Sequence, residues 1–227
     1  MNSKKDNAIE KVLSEFVNFA NLSLQQLDLL EKLMCSFNPS DPSEIIVEMK
    51  MNENQMDKYE VTISEQIINT IALYQPVASD IRKLMACYRM IINMERIGDL
   101  VMNIVYKLRK MKDPQIFKNS SGLIDNMLIQ SRDMVNKSLL SFSETNKDYA
   151  IWTIKNDEVV DVLKTELLKK SIIRKELPKD QEEMLLSFID LKGILSSIER
   201  IADHATNIAE ASIYSMEGND IRHQDMK

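Results

Sequence analysis

A repeat constrains this chain more than any other feature. Glu95-Arg96-Ile97-Gly98-Asp99 returns 104 positions later as Glu199-Arg200-Ile201-Ala202-Asp203, and each copy is followed by an Asn-Ile pair, Asn103-Ile104 and Asn207-Ile208. Two more acid pairs precede them, Glu53 with Asp57 and Asp157 with Asp161; these are also 104 positions apart, and each lies 42 positions before the later pair of its half. In every pair the carboxylates are i and i+4, which a helix sets on one face about one turn apart. A period this long in 227 residues calls for two copies of one unit, with a boundary near the Asp113-Pro114 linker: residues 1–113 and 114–227.

Only four Gly and five Pro, few aromatics and many Leu, Ile, Met, Lys and Glu point to an all-α protein. Apolar spacing and breakers predict six helices. The first runs from about Asn7 to Phe37 with Val12, Phe16, Phe19, Leu27, Leu30 and Met34 in phase, and the second from about Ser43 to Tyr74. The third follows Pro76 and ends near Met111; Asp80 falls near its start, where a carboxylate suits the helix dipole. The second half repeats this at about Leu123 to Glu144 (Ile124, Leu128, Val135 and Phe142 in phase), Lys147 to Lys175, and Gln181 to Met216, with Gly218 as a C-terminal stop. Breakers fall at Asn38 to Ser43 and at Glu176 to Asp180. Short connections make sequential helices antiparallel, so the expected architecture is a tandem pair of three-helix bundles. The fifteen Met are read as adaptable core filling.

Net charge −6 with no long basic stripe argues against nucleic-acid binding. Cys35 and Cys87 lack metal-type spacing and are read as small buried apolar side chains in a reduced, intracellular setting. No apolar run reaches membrane-spanning length, and the N-terminus has no signal-peptide pattern, so a cytoplasmic location is expected.

The second and third helices of each half run antiparallel and each carries one acid pair, so four carboxylates can meet at one level of the bundle. Like charges held together disfavour joint ionisation, and a multivalent cation removes the conflict. With only two histidines, His204 and His223, the donors are all oxygen; they suit Mg²⁺, Mn²⁺, Ca²⁺ or iron better than a closed His-based zinc site. The competing reading is a set of ordinary solvated acidic faces, which the common register of four pairs disfavours. Arg96 and Arg200 either neutralise the acids or bind an anion, with surface ion pairing preferred. Asn103 and Asn207 are candidates for hydrogen bonds behind the ligands or for helix–helix contacts. His204 is one helical step from Asp203, faces elsewhere and is not counted as a ligand. No nucleophile–base constellation or Gly-rich phosphate loop is present, and neither His has a Glu three residues before it, so no enzyme is expected.

These residues resemble the PhoU family, accessory proteins of the phosphate-specific transport system. The likeness covers the four acid motifs, both Glu-Arg-Ile-x-Asp stretches, Gln75-Pro76-x-Ala78-x-Asp80-x-Arg82, and Gly218-x-Asp220-x-Arg222-His223. It implies two three-helix bundles and carboxylate-bound metal clusters of iron, zinc, manganese or magnesium. One cluster would use Glu53, Asp57, Glu95 and Asp99; the other would use Asp157, Asp161, Glu199 and Asp203. It also implies negative regulation of the phosphate-starvation response through the importer's ATPase subunit and a sensor histidine kinase. A homodimer is expected, peripheral to the membrane only through its partners. The second half departs from the pattern, with Leu177-Pro178-Lys179-Asp180 in place of the Gln-Pro stretch and the shorter Asp157 in place of Glu. The alternatives are a metalloenzyme, which turnover by the metal-loaded protein would reveal, a metal-free structural bundle, and the PhoU-like regulatory domain of a sodium–phosphate cotransporter.

Overall fold

The computed structural model describes residues 2–35, 44–173 and 181–221. Its described residues form helices only: α1 (Asn2–Cys35), α2 (Glu44–Tyr74), α3 (Ala78–Lys110), α4 (Pro114–Lys118), α5 (Ser121–Ser143), α6 (Lys147–Ile173) and α7 (Gln181–Glu217). Six are the long helices expected from the spacing. The seventh, α4, occupies the linker: Pro114 sits in its first turn, and the Asp113 carboxylate accepts a hydrogen bond from Gln115 N at 3.0 Å as the N-cap. The expected breakers at 38–43 and 176–180 and the segment beyond Ile221 lie outside the described residues.

Helices α1, α2 and α3 pack as one bundle, and α5, α6 and α7 as another. The in-phase apolar residues of α1 and α5 are the ones that disappear from solvent: Val12, Phe19, Leu27, Leu30, Ile124, Leu128 and Val135 are all fully buried. Met49, Met56, Met90, Met94, Met127 and Met134 are buried too, in keeping with a core-filling role. Cys87 is buried, but Cys35, at the end of α1, is exposed. The buried reading of Cys35 is therefore corrected: its helix ends there, and among the described residues no element covers it.

The halves do not hold separate cores. One apolar cluster runs from Val12 in α1 to Ala211 in α7, and the most extensive helix–helix contact in the molecule is between α3 and α7. These two cross antiparallel: Arg82 packs on Gly218, Arg89 on Tyr214, Asn93 on His204 and Lys107 on Gly193. On the opposite side α1 meets α5, where Phe16 and Phe142 pack edge to face at 5.1 Å. There Arg132 Nε donates to Asp28 Oδ1 at 2.5 Å; these residues are 104 apart, so each bonds its own repeat-mate. The two bundles are thus related by an approximate twofold axis.

The motif's small residues have a packing reason. A Cβ on Gly98 would come within 2.8 Å of Met56 Cε, so the end of the long Met56 side chain packs directly on α3 and would have to move aside for a methyl there. At the repeat-related positions Val160 and Ala202, both buried, a shorter side chain goes with the added methyl.

Helix α7 ends on Gly218 at φ +74°, whose N–H donates to Tyr214 O at 2.9 Å. A Cβ there would lie 3.3 Å from Arg82 Cδ. Gly218→Ala should cost about 1 kcal/mol in urea unfolding, from left-handed backbone strain and crowding of Arg82 together. An unchanged midpoint would refute this account of the helix end.

Candidate metal centre

Glu53 and Asp57 project from α2, and Glu95 and Asp99 from α3. Glu53, Glu95 and Asp99 are partly buried, whereas Asp57 is exposed. Their carboxyls feel one another across the helix pair. Burial, then the charges of Asp57 and Asp99, raises the Glu53 carboxyl above its ordinary range. Burial, then Asp99, raises Glu95; Arg96 offsets part of this, and Glu60 and Asp57 add to it. Antiparallel helices give a crosswise pattern, with Glu53 opposite Asp99 and Asp57 opposite Glu95.

The second half repeats that pattern on α6 and α7. Burial, followed by the charges of Asp203 and Asp161, pushes the Asp157 carboxyl up to about 6. The buried Thr206 hydroxyl lacks a full hydrogen bond as placed, yet lies close enough to Asp157 to offset part of that rise. Burial and then Glu199, through charge and a shared hydrogen bond, raise Asp161. Asp203 is raised by burial and then by Glu199 and Asp161, with Lys164 and Arg200 working against them. Here Asp157 stands opposite Asp203, and Asp161 opposite Glu199.

All eight acids named from the sequence thus fall into two four-carboxylate sets, each on one helix pair. Among the described residues, no three acidic, His or Cys side chains stand close enough to clasp an ion as placed. The donor chemistry fits a hard cation nonetheless: oxygen donors from two helices, partly desolvated and loaded with like charge.

The neighbouring candidates separate. Arg96, more than half exposed, pairs with Glu95 at 3.4 Å and with Asp99 at 3.1 Å. Arg200 is also exposed. Asn207 Nδ2 donates to Asn93 Oδ1 at 3.3 Å, a contact between α7 and α3 and not a bond to the acids. Asn103 is exposed. His204 faces α3, with its Nδ1 2.8 Å from Asn93 Oδ1. Because Asn93 Nδ2 donates to Arg89 O at 2.7 Å, Asn93 Oδ1 is the acceptor and His204 carries its proton on Nδ1. Burial, then the Arg200 and Arg96 cations, lowers the His204 pKa to about 4, so the ring is neutral near neutral pH.

Sequence reasoning missed Lys164 as a site residue. It is partly buried, and its ammonium pairs with Glu199 Oε2 inside the second acid set. The signal for Lys164 was present: the 104-residue offset, applied to Glu60 on α2, leads to it.

The sequence pattern of the PhoU domain matches this chain twice, at residues 19–108 and 124–212. The chain belongs to the PhoU family. It is 30% identical over 221 residues to a phosphate-specific transport system accessory protein PhoU homolog of Aquifex aeolicus, covering 96% of each chain. A Burkholderia homolog of the same description is 26% identical over 228 residues, covering 98% of this chain and 93% of the relative. The crystal structure of PhoU from Pseudomonas aeruginosa superposes with a TM-score of 0.81 at 23% identity, over 94% of this chain and 99% of that one. The phosphate transport system regulatory protein PhoU of Streptococcus pneumoniae gives 0.81 at 22% identity, over 95% and 98%.

Within this PhoU fold, the two stretches that carried the resemblance outside the acid motifs come together. Arg82 packs on Gly218, and Arg89, about two turns further along the same face of α3, bonds Asp220 at 3.3 Å and lies 4.7 Å from the centre of the Tyr214 ring. Lys5 of α1 holds Asp80 at 2.8 Å. The first turns of α3 and the segment just after α7 therefore hold the end of α7 against the first half. Arg222 and His223 lie outside the described residues.

Proposed function

We propose that this PhoU-family chain is a non-enzymatic regulator of phosphate uptake whose acid sets hold metal ions. Glu53, Asp57, Glu95 and Asp99 would hold one cluster, and Asp157, Asp161, Glu199 and Asp203 the other, with iron, zinc, manganese or magnesium as the ion. When bound, the ion supplies positive charge that relieves carboxylate repulsion and sets the charge of the surface the bundles present. The reading rests on one observation: two crosswise acid sets, repeated at the same register, in which five carboxyls are raised by burial and like charge. An acid excess of this kind, offset only in part by Arg96 and Lys164 and built twice into one protein, is costly unless a further cation is its partner.

The relatives' description as accessory proteins of the phosphate-specific transport system supports the partner class. We assign negative regulation of the phosphate-starvation response, through the importer's ATPase subunit and a sensor histidine kinase, in the cytoplasm and as a homodimer. Among the described residues no helix is long and apolar enough to cross a membrane, so membrane partners would be reached by docking.

Two measurements test the reading together. Metal content by plasma mass spectrometry, on protein purified without chelator, should be stoichiometric and fall half by half in Glu95→Ala/Asp99→Ala and Glu199→Ala/Asp203→Ala. In a host lacking its own copy, the wild-type chain should silence a phosphate-starvation reporter in phosphate-rich medium, and the combined four-site variant should leave it on. Metal-free wild-type protein after reconstitution with Mn²⁺, Fe²⁺ or Zn²⁺ would remove the clusters. A reporter indifferent to the chain would remove the regulatory role.

A further inference from the structure

The two acid sets differ at one register position, and the difference is of sign. Glu60 follows Asp57 by three residues on α2; the repeat-related residue, three after Asp161 on α6, is Lys164. Both face the third helix of their half. The Lys164 ammonium pairs with Glu199 Oε2, with the two side chains only 21% and 24% exposed. Its charge also reaches Asp161 and Asp203. In the first half the corresponding third-helix residue is Glu95, and it feels Glu60 as one more negative charge. Glu95 pairs with Arg96, which lies more than half exposed on the same helix and is shared with Asp99. Water screens a pair of that kind strongly, whereas the Lys164 pair is drier.

We infer that Lys164 is a built-in counter-ion that partly neutralises the second acid set, leaving the first set, with Glu60 in that place, as the stronger cation site. An incoming ion in the second half must displace the ammonium from Glu199 or share its carboxylate. In the first half the competing cation is the exposed, water-screened Arg96, which is displaced more easily, and Glu60 adds attraction. The halves would then load in order as cation concentration rises, so one chain could respond in two steps. The inference rests on the metal reading proposed above.

The test is calorimetric titration of the metal-stripped 227-residue chain with Mn²⁺. Glu199→Ala/Asp203→Ala isolates the first half and Glu95→Ala/Asp99→Ala the second. The first half should bind on the order of tenfold more tightly, the effect of about one partly buried charge pair. Lys164→Gln, placed in the chain that reads the second half, should close most of that gap. Glu60→Gln, placed in the chain that reads the first, should weaken binding. Without metal the same substitutions should move the melting temperature in opposite directions, Lys164→Gln down and Glu60→Gln up, which also reports that each variant folds. Equal affinities untouched by Lys164→Gln would overturn the inference and leave the metal reading standing. No Mn²⁺ uptake by either half would overturn the metal reading, and this inference with it.

Discussion

Ile97→Ala and Ile201→Ala are each expected to lower the unfolding free energy by about 2–5 kcal/mol. These repeat-mates sit inside the two Glu-Arg-Ile-x-Asp motifs, between the acids of the candidate sites, and both are 0% exposed. Removing the side chain forfeits its transfer free energy and leaves a cavity that packed helices close only in part. The Arg beside each Ile is exposed, so Arg96→Ala and Arg200→Ala should shift stability by less than about 1 kcal/mol. Urea unfolding followed by circular dichroism measures all four. The same experiment asks whether the halves are independent. Trp152, the one tryptophan, lies on α6 in the second half and packs against the shared core. If the core is continuous across α3 and α7, Ile97→Ala in the first half should shift the Trp152 fluorescence transition as far as the circular dichroism transition. A fluorescence transition left in place would mean that the halves unfold separately.

Metal-free protein should become more stable on mild acidification, the reverse of the usual behaviour of paired carboxylates. The Asp157 carboxyl is raised from its ordinary 3.8 to about 6 by burial, Asp203 and Asp161. The native state therefore holds this proton more tightly than the unfolded chain does. That contribution is fully present below about pH 3.8 and is lost as pH rises through about 6. In a dry site the shift would amount to roughly 3 kcal/mol. Asp157 is only partly buried, and screening reduces the effect to about 1–2 kcal/mol. Glu53, Glu95, Asp161 and Asp203 are raised as well and act with the same sign. Asp157→Asn should stabilise the metal-free protein by a similar amount near pH 7, flatten its pH profile between 4 and 7, and impair metal uptake in the second half. Denaturant midpoints taken across that range, with and without added Mn²⁺, decide it. A wild-type profile that falls on acidification from pH 7 to 5 would show that these carboxyls are stabilised, not strained, in the native state.

Much of the fold was legible because helix formation here is local. Few Gly and Pro, apolar residues every third or fourth position, and Gly218 at a helix end are properties of neighbouring residues, and they placed the six long helices. The repeat added what local pattern cannot: two equal units with acids on facing helices. The short helix α4 escaped because five residues hold too little periodicity to read; only the Asp113 cap and Pro114 announce it. Cys35 was misjudged because burial depends on what covers a helix end, and that is not a local property.

By itself the sequence determined the all-α class, the two three-helix units, and which eight carboxylates share faces, since a 104-residue offset and i, i+4 spacing hold wherever the helices go. Only the tertiary structure decided how the units join. The continuous core between α3 and α7, the Asp28–Arg132 bond between repeat-mates, and the turning of Asn207 and His204 toward Asn93 instead of the acids all come from the way two helices cross. It also decided what the Glu60-to-Lys164 difference between the two acid sets does. Lys164 and Glu60 are ordinary surface-type residues in one dimension. Packing α6 against α7 brings the ammonium onto Glu199, and in a partly desolvated site one such charge outweighs the likeness of the motifs around it.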